Sequence, residues 1–401
     1  MNRVVITGLG PVSSIGIGKS AFCAGLREGR SGISPIKGFD STGFPHVCAG
    51  EVHDFRPQAL LRRLDPSAWG RSTLFAATAA RLAVRDAQLN LDQVDLERVG
   101  VVMGTTCGES QVAEALAAEI LNHGFQAQSP EFLRQAPGSR LANGVSEELG
   151  VSGESLTIST ACSASNYAIG YAFDCLAHGE AEVMVTGGAD SVCRWVHAGF
   201  FRLGTLAKDA CSPFDRNRSG ILTAEGGAAL LLETLDHALA RGARPYAEVL
   251  GYGLNCDANH MVAPNACSIA ACMRLALGQA HIRPSDVDYI CAHGTGTPSN
   301  DSVEFQAIHA VFGEDTPPVS SIKSMLGHTM GAASGFGAIA SCLAITEGFL
   351  PPTINWVTAD PEMVGLDTVP NQARRATVRI VQNNGFAFGG NNAIVILGAV
   401  A

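Results

Sequence analysis

The texture of the apolar segments constrains this chain most. Short Val/Ile-rich runs without polar alternation recur between longer Ala/Leu/Gly-rich stretches of helical period. Continuous apolar strands belong to sheets covered on both faces, and strand–helix alternation builds α/β layers. Strands are expected at residues 3–8, 99–103, 155–159, 182–186 and 228–233, then at 247–251, 288–292, 318–321, 378–383 and 393–397. Helices are expected at 72–89, 163–178, 235–241, 270–280, 302–312 and 331–346. With 401 residues the chain is long for one domain, so two packed domains or one duplicated unit is expected. A faint echo supports duplication: the strand and Gly/Thr turn at 99–106 resemble those at 289–297, and 156–162 resembles 319–325. Chance similarity between two α/β units is the alternative. The division falls near residue 245, giving halves 1–244 and 245–401 with no low-complexity linker between them. Residues 33–66 and 125–140 read as surface loops. Forty-five glycines, 46% hydrophobic and 16% charged residues describe a large core of small, closely packed side chains.

A net charge of −10 with no Lys/Arg-dense tract argues against nucleic acid as a partner. Two loose basic groups remain: Arg62, Arg63 and Arg71, and Arg202, Lys208, Arg216 and Arg218. Scattered solvated side chains would explain either. None of the twelve cysteines forms a CxxC pair, so no zinc or dithiol redox site is expected and no metal is assigned. Their scatter through apolar segments suggests free thiols in a reducing compartment. The N-terminus runs from Met1 directly into a strand, without the pattern of a secretory signal, and no uninterrupted apolar run approaches the ~18 residues that span a bilayer. A cytoplasmic protein with no membrane partner is expected.

The strongest local feature is Cys162, where an apolar strand stops and a small-residue helix begins. Helix N-terminal N–H groups stabilise a thiolate, so its pKa is expected to fall from about 8.5 into the range of about 3.5–7.5. Such a thiolate can attack a thioester, and the same N–H groups can hold the oxyanion. Ordinary burial is the bland alternative for one cysteine among twelve. His293, in Ala292-His-Gly-Thr-Gly-Thr-Pro, and His328, in Lys323-Ser-Met-Leu-Gly-His, both sit among glycines and small residues that let a substrate approach. Either alone could be a satisfied structural histidine. Together, two neutral imidazoles can donate to one enolate oxygen, each donor being worth roughly 2.7–4 kcal/mol in a dry site. Lys323 would add a positive charge nearby, unless it is a surface lysine.

The Thr-Ala-Cys-Ser segment, the His-Gly-Thr-Gly-Thr-Pro loop, the Lys-Ser-Met-x-Gly-His motif and the Asn384-Gly-Phe-Ala-Phe-Gly-Gly-Asn turn occur in one order along nearly the whole chain. In that order they resemble the elongating β-ketoacyl-(acyl carrier protein) synthases of fatty-acid and polyketide synthesis. The resemblance implies a thiolase-like fold, two duplicated α/β halves in five α-β-α-β-α layers, and a homodimer. It implies decarboxylative condensation of an acyl group on Cys162 with malonyl-acyl carrier protein, and no cofactor beyond the carrier's phosphopantetheine. Carried over by position, His293 and His328 support decarboxylation and enolate stabilisation, while Lys323 orients His328. The N–H groups of Cys162 and Phe388 form an oxyanion hole, with Phe388 also a gate. Thr295 and Thr297 bind the pantetheine arm. Arg62, Arg63, Arg71, Arg202 and Lys208 become candidate contacts for the acidic carrier protein.

Several positions depart from the family pattern. Gly337 stands where a glutamate linked to a monovalent cation is usual, so no such cation site is expected. Ala387 replaces a glycine, which narrows backbone freedom if a positive φ is needed there. Asn391 and Val262 each replace a threonine, and the loop after His260 is about two residues short. These changes suggest a secondary-metabolite synthase. A thiolase would need a second cysteine in the late Gly-rich turn, and an initiating, type III synthase an asparagine at His328; neither is present. Cys162 argues against a cysteine-less chain-length-factor subunit, although this chain could be the active half of such a heterodimer. Val5-Ile-Thr-Gly-Leu-Gly suggests a dinucleotide turn, but Gly8, Gly10 and Gly16 do not make GxGxxG, and a tight turn explains them better.

Overall fold

The computed structural model describes residues 1–401. Ten strands form the body of one hydrogen-bonded sheet: β1 (Val4–Ser13), β2 (Val99–Gly104), β3 (Ser155–Ile158), β4 (Val183–Asp190), β5 (Gly226–Thr234), β6 (Ala247–Cys256), β7 (Tyr289–Cys291), β8 (Val319–Ser320), β9 (Ile380–Phe386) and β10 (Asn391–Gly398). The short strand Gly16–Ile17 adds to β1. The order is β8-β7-β9-β10-β6-β1-β5-β4-β2-β3. Each half repeats one plan. In the first, β2 runs parallel to β3 and β4, β4 pairs antiparallel with β5, and β5 with β1. In the second, β7 runs parallel to β8 and β9, β9 pairs antiparallel with β10, and β10 with β6. The sequence echo matched β2 with β7 and β3 with β8, which are equivalent strands in this topology. The halves join through two residue pairs, Val5 with Glu248 and Ile6 with Ala247.

Six helices build the layers, α1 (Arg71–Asp86), α2 (Arg140–Leu149), α3 (Ala164–Ala177), α5 (Ala266–Gln279), α6 (Pro298–Phe312) and α7 (Ala333–Glu347), while α4 (Arg194–Arg202) packs in a small separate cluster. The central layer is α3 with α7; Ile169, Ala172, Ile339 and Leu343 pack in one cluster with Ile6, Leu230 and Val395. Outside the first half lie α1 and α2, through Phe75, Ala79, Ala83 and Leu141. Outside the second lie α5 and α6, through Ile269, Met273, Ala307 and Ile308. This is the expected five-layer arrangement. The 18 residues Met330–Glu347 are apolar and long enough to cross a membrane by composition, but 83% of that stretch is buried as the central helix of the fold. The glycines of β1 are packing devices: a Cβ on Gly8 would lie 2.1 Å from the Ala83 carbonyl oxygen, and one on Gly10 1.9 Å from that of Ala79. They let α1 lie directly on the strand; Gly8 and Gly10 sit within β1 itself, so the tight turn expected there is corrected to a close helix–strand contact.

Boundaries moved where capping overrode periodicity. Helix α6 begins at Pro298, four residues earlier than expected, because the Thr297 hydroxyl accepts from the Asn300 N–H and Pro298 sits at the first helical position. Helices at Lys19–Glu28, Ser110–His123, Arg140–Leu149 and Arg194–Arg202 were not expected. The stretch 125–140 is not only loop, since Ser129 caps a short helix over Pro130–Gln135.

Candidate active site

Cys162 lies in a single 3-10 turn, Ala161–Ser163, between β3 and α3. Ala161 has φ 49°, a left-handed conformation that an L-residue adopts only under restraint. The elbow turns the thiol away from the strand axis, and the Cys162 side chain reaches a cavity of about 320 Å³. His293, His328, Thr295, Thr297 and Phe388 line the same cavity, with Phe200, Met261 and Phe386.

Local hydrogen bonds fix each histidine. His328 is held as a strand would be: its N–H donates to the Leu222 carbonyl at 2.7 Å, and its carbonyl accepts from the Ala224 N–H at 2.9 Å. Its Nδ1 accepts from the Met330 N–H at 3.1 Å, so the proton of the neutral ring sits on Nε2. The His293 peptide is gripped at both ends by opposite charges. Lys323 Nζ donates to its carbonyl at 2.5 Å, and Glu304 Oε1 accepts from its N–H at 2.8 Å. The two imidazole centroids are 5.7 Å apart and nearly perpendicular. Burial and the Lys323 charge hold both rings well below the usual histidine range, so both are neutral N–H donors at pH 7.

Three expectations change here. Burial pushes the Cys162 thiol up to about 12, against the expected fall. Lys323 and the N–H groups of Phe388 and Cys162 act in the lowering direction but do not outweigh desolvation. Lys323 does not orient His328 by contact; its hydrogen bond goes to His293, and it acts on His328 through its charge. Ala387 is unstrained, because the positive φ values of the turn fall on Gly389 (85°) and Gly390 (80°).

The turn that carries Phe388 is strapped to the segment around His260. Gly389 N–H donates to the Met261 carbonyl at 2.7 Å, and Asp257 N–H to the Gly390 carbonyl at 2.9 Å. His260 Nδ1 accepts from the N–H groups of Val262 and Ala263. Phe388 and Phe200 lie 5.9 Å apart, and Phe200 is 6.5 Å from His328. The Thr295 and Thr297 hydroxyls bond each other at 2.9 Å.

Among the basic residues, Arg71 is corrected from a docking contact to a structural group. Its guanidinium is bidentate to the buried Glu225 and packs over Phe75. Arg218 is likewise buried and paired with Asp360. Arg62, Arg63, Arg202, Lys208 and Arg216 are exposed. No group of three or more His, Cys, Asp or Glu side chains comes together as a metal site.

Sequence reasoning missed the buried carboxylates that hold these loops. Glu304 also accepts from Gly294 N–H at 2.7 Å and Asn384 Nδ2 at 2.9 Å. Asp301 accepts from the N–H groups of Phe214 and Gly296. Asp190, raised to about 6 by burial, accepts from Thr106, Cys107 and Gly331 N–H groups and the Thr105 hydroxyl. Acidic residues in the first two turns of α6, just after the His293 loop, were the one available signal.

A thiol at a helix-entry elbow and two neutral imidazoles on one narrow cavity, in a duplicated five-layer fold, define an acyl-transferring condensing enzyme of the thiolase-like class. Comparison with known proteins makes this specific. Residues 1–238 match the β-ketoacyl synthase N-terminal domain and residues 246–357 its C-terminal domain. The chain therefore belongs to the β-ketoacyl synthase family. It is 38% identical to 3-oxoacyl-[acyl-carrier-protein] synthase 2 of Synechocystis sp., over 97% of this chain and 96% of the relative. It is also 38% identical to the protein of that name from Coxiella burnetii, over 99% of each. Among solved structures it resembles a chain of the ishigamide ketosynthase/chain length factor, with TM-score 0.98 and 48% identity over 100% of both chains. A type II polyketide acyl-carrier protein in complex with its ketosynthase bound to a hexaketide gives 0.92 and 33%, again over 100% of both.

Proposed function

We propose that this enzyme extends a carrier-bound acyl chain by decarboxylative Claisen condensation, with the first half (1–244) supplying the nucleophile and the second (245–401) the enolate donors. Cys162 sulfur attacks the thioester carbonyl of acyl-acyl carrier protein, and the oxyanion is held by the N–H groups of Cys162 and Phe388. The phosphopantetheine thiol leaves with the proton from Cys162. Malonyl-acyl carrier protein then enters past Thr295 and Thr297, which hydrogen-bond its pantetheine arm. Loss of carbon dioxide leaves the C–C bonding pair as an enolate, whose oxygen accepts from the N–H groups of His293 and His328. The enolate carbon attacks the Cys162 thioester, and the departing sulfur is reprotonated as β-ketoacyl-acyl carrier protein forms. Lys323 holds the His293 peptide and draws down the Cys162 pKa. Arg202 and Lys208, with Arg62 and Arg63, are the candidate contacts for the carrier protein. No prosthetic group is needed beyond the carrier's own arm. A cytoplasmic setting fits the twelve free cysteines.

One observation carries this reading: Cys162, His293 and His328 line a single cavity. A polyketide-type pathway is favoured by 48% identity to the ishigamide ketosynthase/chain length factor against 38% to the 3-oxoacyl-[acyl-carrier-protein] synthase 2 relatives, and by Gly337 and Asn391. That similarity equally supports the second assembly, in which this chain is the active half of a ketosynthase/chain-length-factor heterodimer rather than a homodimer. Intact mass after incubation with acyl-acyl carrier proteins tests the chemistry: wild type gains one acyl group and Cys162→Ala gains none. An adduct that persists in Cys162→Ala refutes the assignment. Co-purification with a cysteine-less homologue separates the two assemblies.

A further inference from the structure

Strand β9 leads directly into the gate turn, and its successive side chains face opposite sides of the sheet. Asn384 faces the His293 loop, donating to Glu304, which holds the His293 N–H. Asn383 faces the central helices. Its Nδ2 donates to Asn166 Oδ1 and to the Ser334 carbonyl, both at 2.9 Å. Asn166 answers: its Nδ2 donates to the Asn383 carbonyl at 3.1 Å and to the Ala393 carbonyl at 3.0 Å, and its N–H to Ser334 Oγ at 3.1 Å. Asn166 lies one turn after Cys162, in the first turn of α3; Ser334 lies in the first turn of α7, shortly after His328. Both amides are buried.

This polar knot is bought at a visible cost. Asn383 Oδ1 is buried without a hydrogen-bond partner. It occupies the space above Gly337, where a Cβ would stand only 2.3 Å from it. Apolar side chains would pack two helices and a strand without an orphaned acceptor, so stability alone does not account for the arrangement. A buried amide pair does fix register, because its bonds are satisfied in one relative placement only.

We propose that Asn166 and Asn383 are positioning residues that form an amide clasp, seated on Gly337. The clasp sets the nucleophile helix, the His328 helix and the gate strand in the one register at which the enolate carbon meets the Cys162 thioester. The proposal rests on the condensation reading above. Decarboxylation needs the histidines, whereas carbon–carbon bond formation needs them aligned with the thioester to within about 3–3.5 Å.

The test is the ratio of carbon dioxide released from malonyl-acyl carrier protein to β-ketoacyl product formed, measured with acyl-primed enzyme. In wild type the ratio is near one. Asn383→Leu, of similar volume, is expected to lower condensation kcat at least tenfold, to keep decarboxylation within a few-fold, and so to raise the ratio, with KM little changed. Gly337→Ala is expected to do the same by displacing Oδ1. In an Asn383→Ala background, Gly337→Ala should cost less than twofold more, since the atom it strikes is gone. A ratio that stays at one in Asn383→Leu and Gly337→Ala, or losses that multiply independently in the double variant, overturns the clasp. If Asn383→Leu does not fold, the Gly337→Ala and Asn383→Ala pair decides alone. Failure of wild type to acylate at Cys162 would instead overturn the underlying reading, which keeps the two failures distinct.

Discussion

Replacing Glu304 with glutamine removes one charge and reverses one hydrogen-bonding atom at the base of the His293 loop. The carboxylate is fully buried and accepts from His293 N–H at 2.8 Å, Gly294 N–H at 2.7 Å and Asn384 Nδ2 at 2.9 Å. A glutamine amide has one acceptor oxygen. In the better orientation it keeps His293 and Asn384, and its NH2 faces the Gly294 N–H. One buried donor left unpaired costs about 1–3 kcal/mol, and the surviving bonds lose their charge assistance. A loss of about 2–4 kcal/mol of unfolding free energy is expected, read as a shift in urea midpoint at unchanged slope. The kinetic consequence is sharper, because the Gly294 N–H is released and the His293 N–H keeps only an uncharged acceptor, leaving Lys323 at the carbonyl as the one charged anchor of the loop that carries the imidazole. A misplacement of about 1 Å costs on the order of 100-fold. Condensation should therefore fall about 10- to 100-fold, while acylation of Cys162, which does not use the imidazole, stays within a few-fold by intact mass. Equal losses in both steps, or unchanged stability, would refute the view that Glu304 works by holding His293.

With burial raising Cys162 to about 12, labelling of Cys162 by iodoacetamide in the substrate-free enzyme should climb from pH 7 to 10 without a plateau, since the thiolate fraction grows tenfold per pH unit below the pKa. Lys323→Met, which removes a cation that lowers this pKa, should label more slowly at every pH; a plateau near pH 8 contradicts the assignment. Arg71→Ala should lower stability by about 3 kcal/mol by stranding the buried Glu225, whereas Arg202→Ala should leave the melting temperature unchanged and raise KM for carrier-borne substrates, less so at high salt. Thr297→Val should cost about 1 kcal/mol through loss of the α6 cap and raise KM for pantetheine-borne substrates without lowering kcat; unchanged KM removes Thr297 from the binding role.

Residues whose chemistry depends on a local turn were legible in the sequence. Cys162 at a strand–helix junction, and two histidines flanked by glycines, announced a shared site because small neighbours and helix entry are encoded within a few residues. What depends on tertiary burial was not legible. The helix-entry argument for a low Cys162 pKa was sound locally, but desolvation, which only the packed fold imposes, reversed its sign. The partner of Lys323 was likewise hidden, because the nearest motif residue, His328, is five positions away whereas its contact is to the His293 carbonyl, thirty positions earlier. Arg71 read as a surface cation for the same reason: Glu225, which neutralises it, is 154 residues distant.

The duplication explains why the site lies where it does. Helices α3 and α7 are equivalent elements of the two halves, each following the edge strand that runs parallel on the outer side of β2 or β7. Cys162 precedes the first and His328 the second, so the proposed nucleophile and one proposed enolate donor occupy matching entries to the central layer. His293 follows β7 as the Thr105–Cys107 turn follows β2, and both turns are pinned by a buried carboxylate, Glu304 in one case and Asp190 in the other. A two-fold scaffold has thus been given asymmetric chemistry at symmetric positions. Such a scaffold brings the two helix entries together at its axis but does not by itself fix their relative rotation or slide, since at the entries themselves the contact is between small residues, Gly335 against Ser165. Polar bonds across the axis, from Asn166 to Ser334 and Asn383, supply that missing constraint.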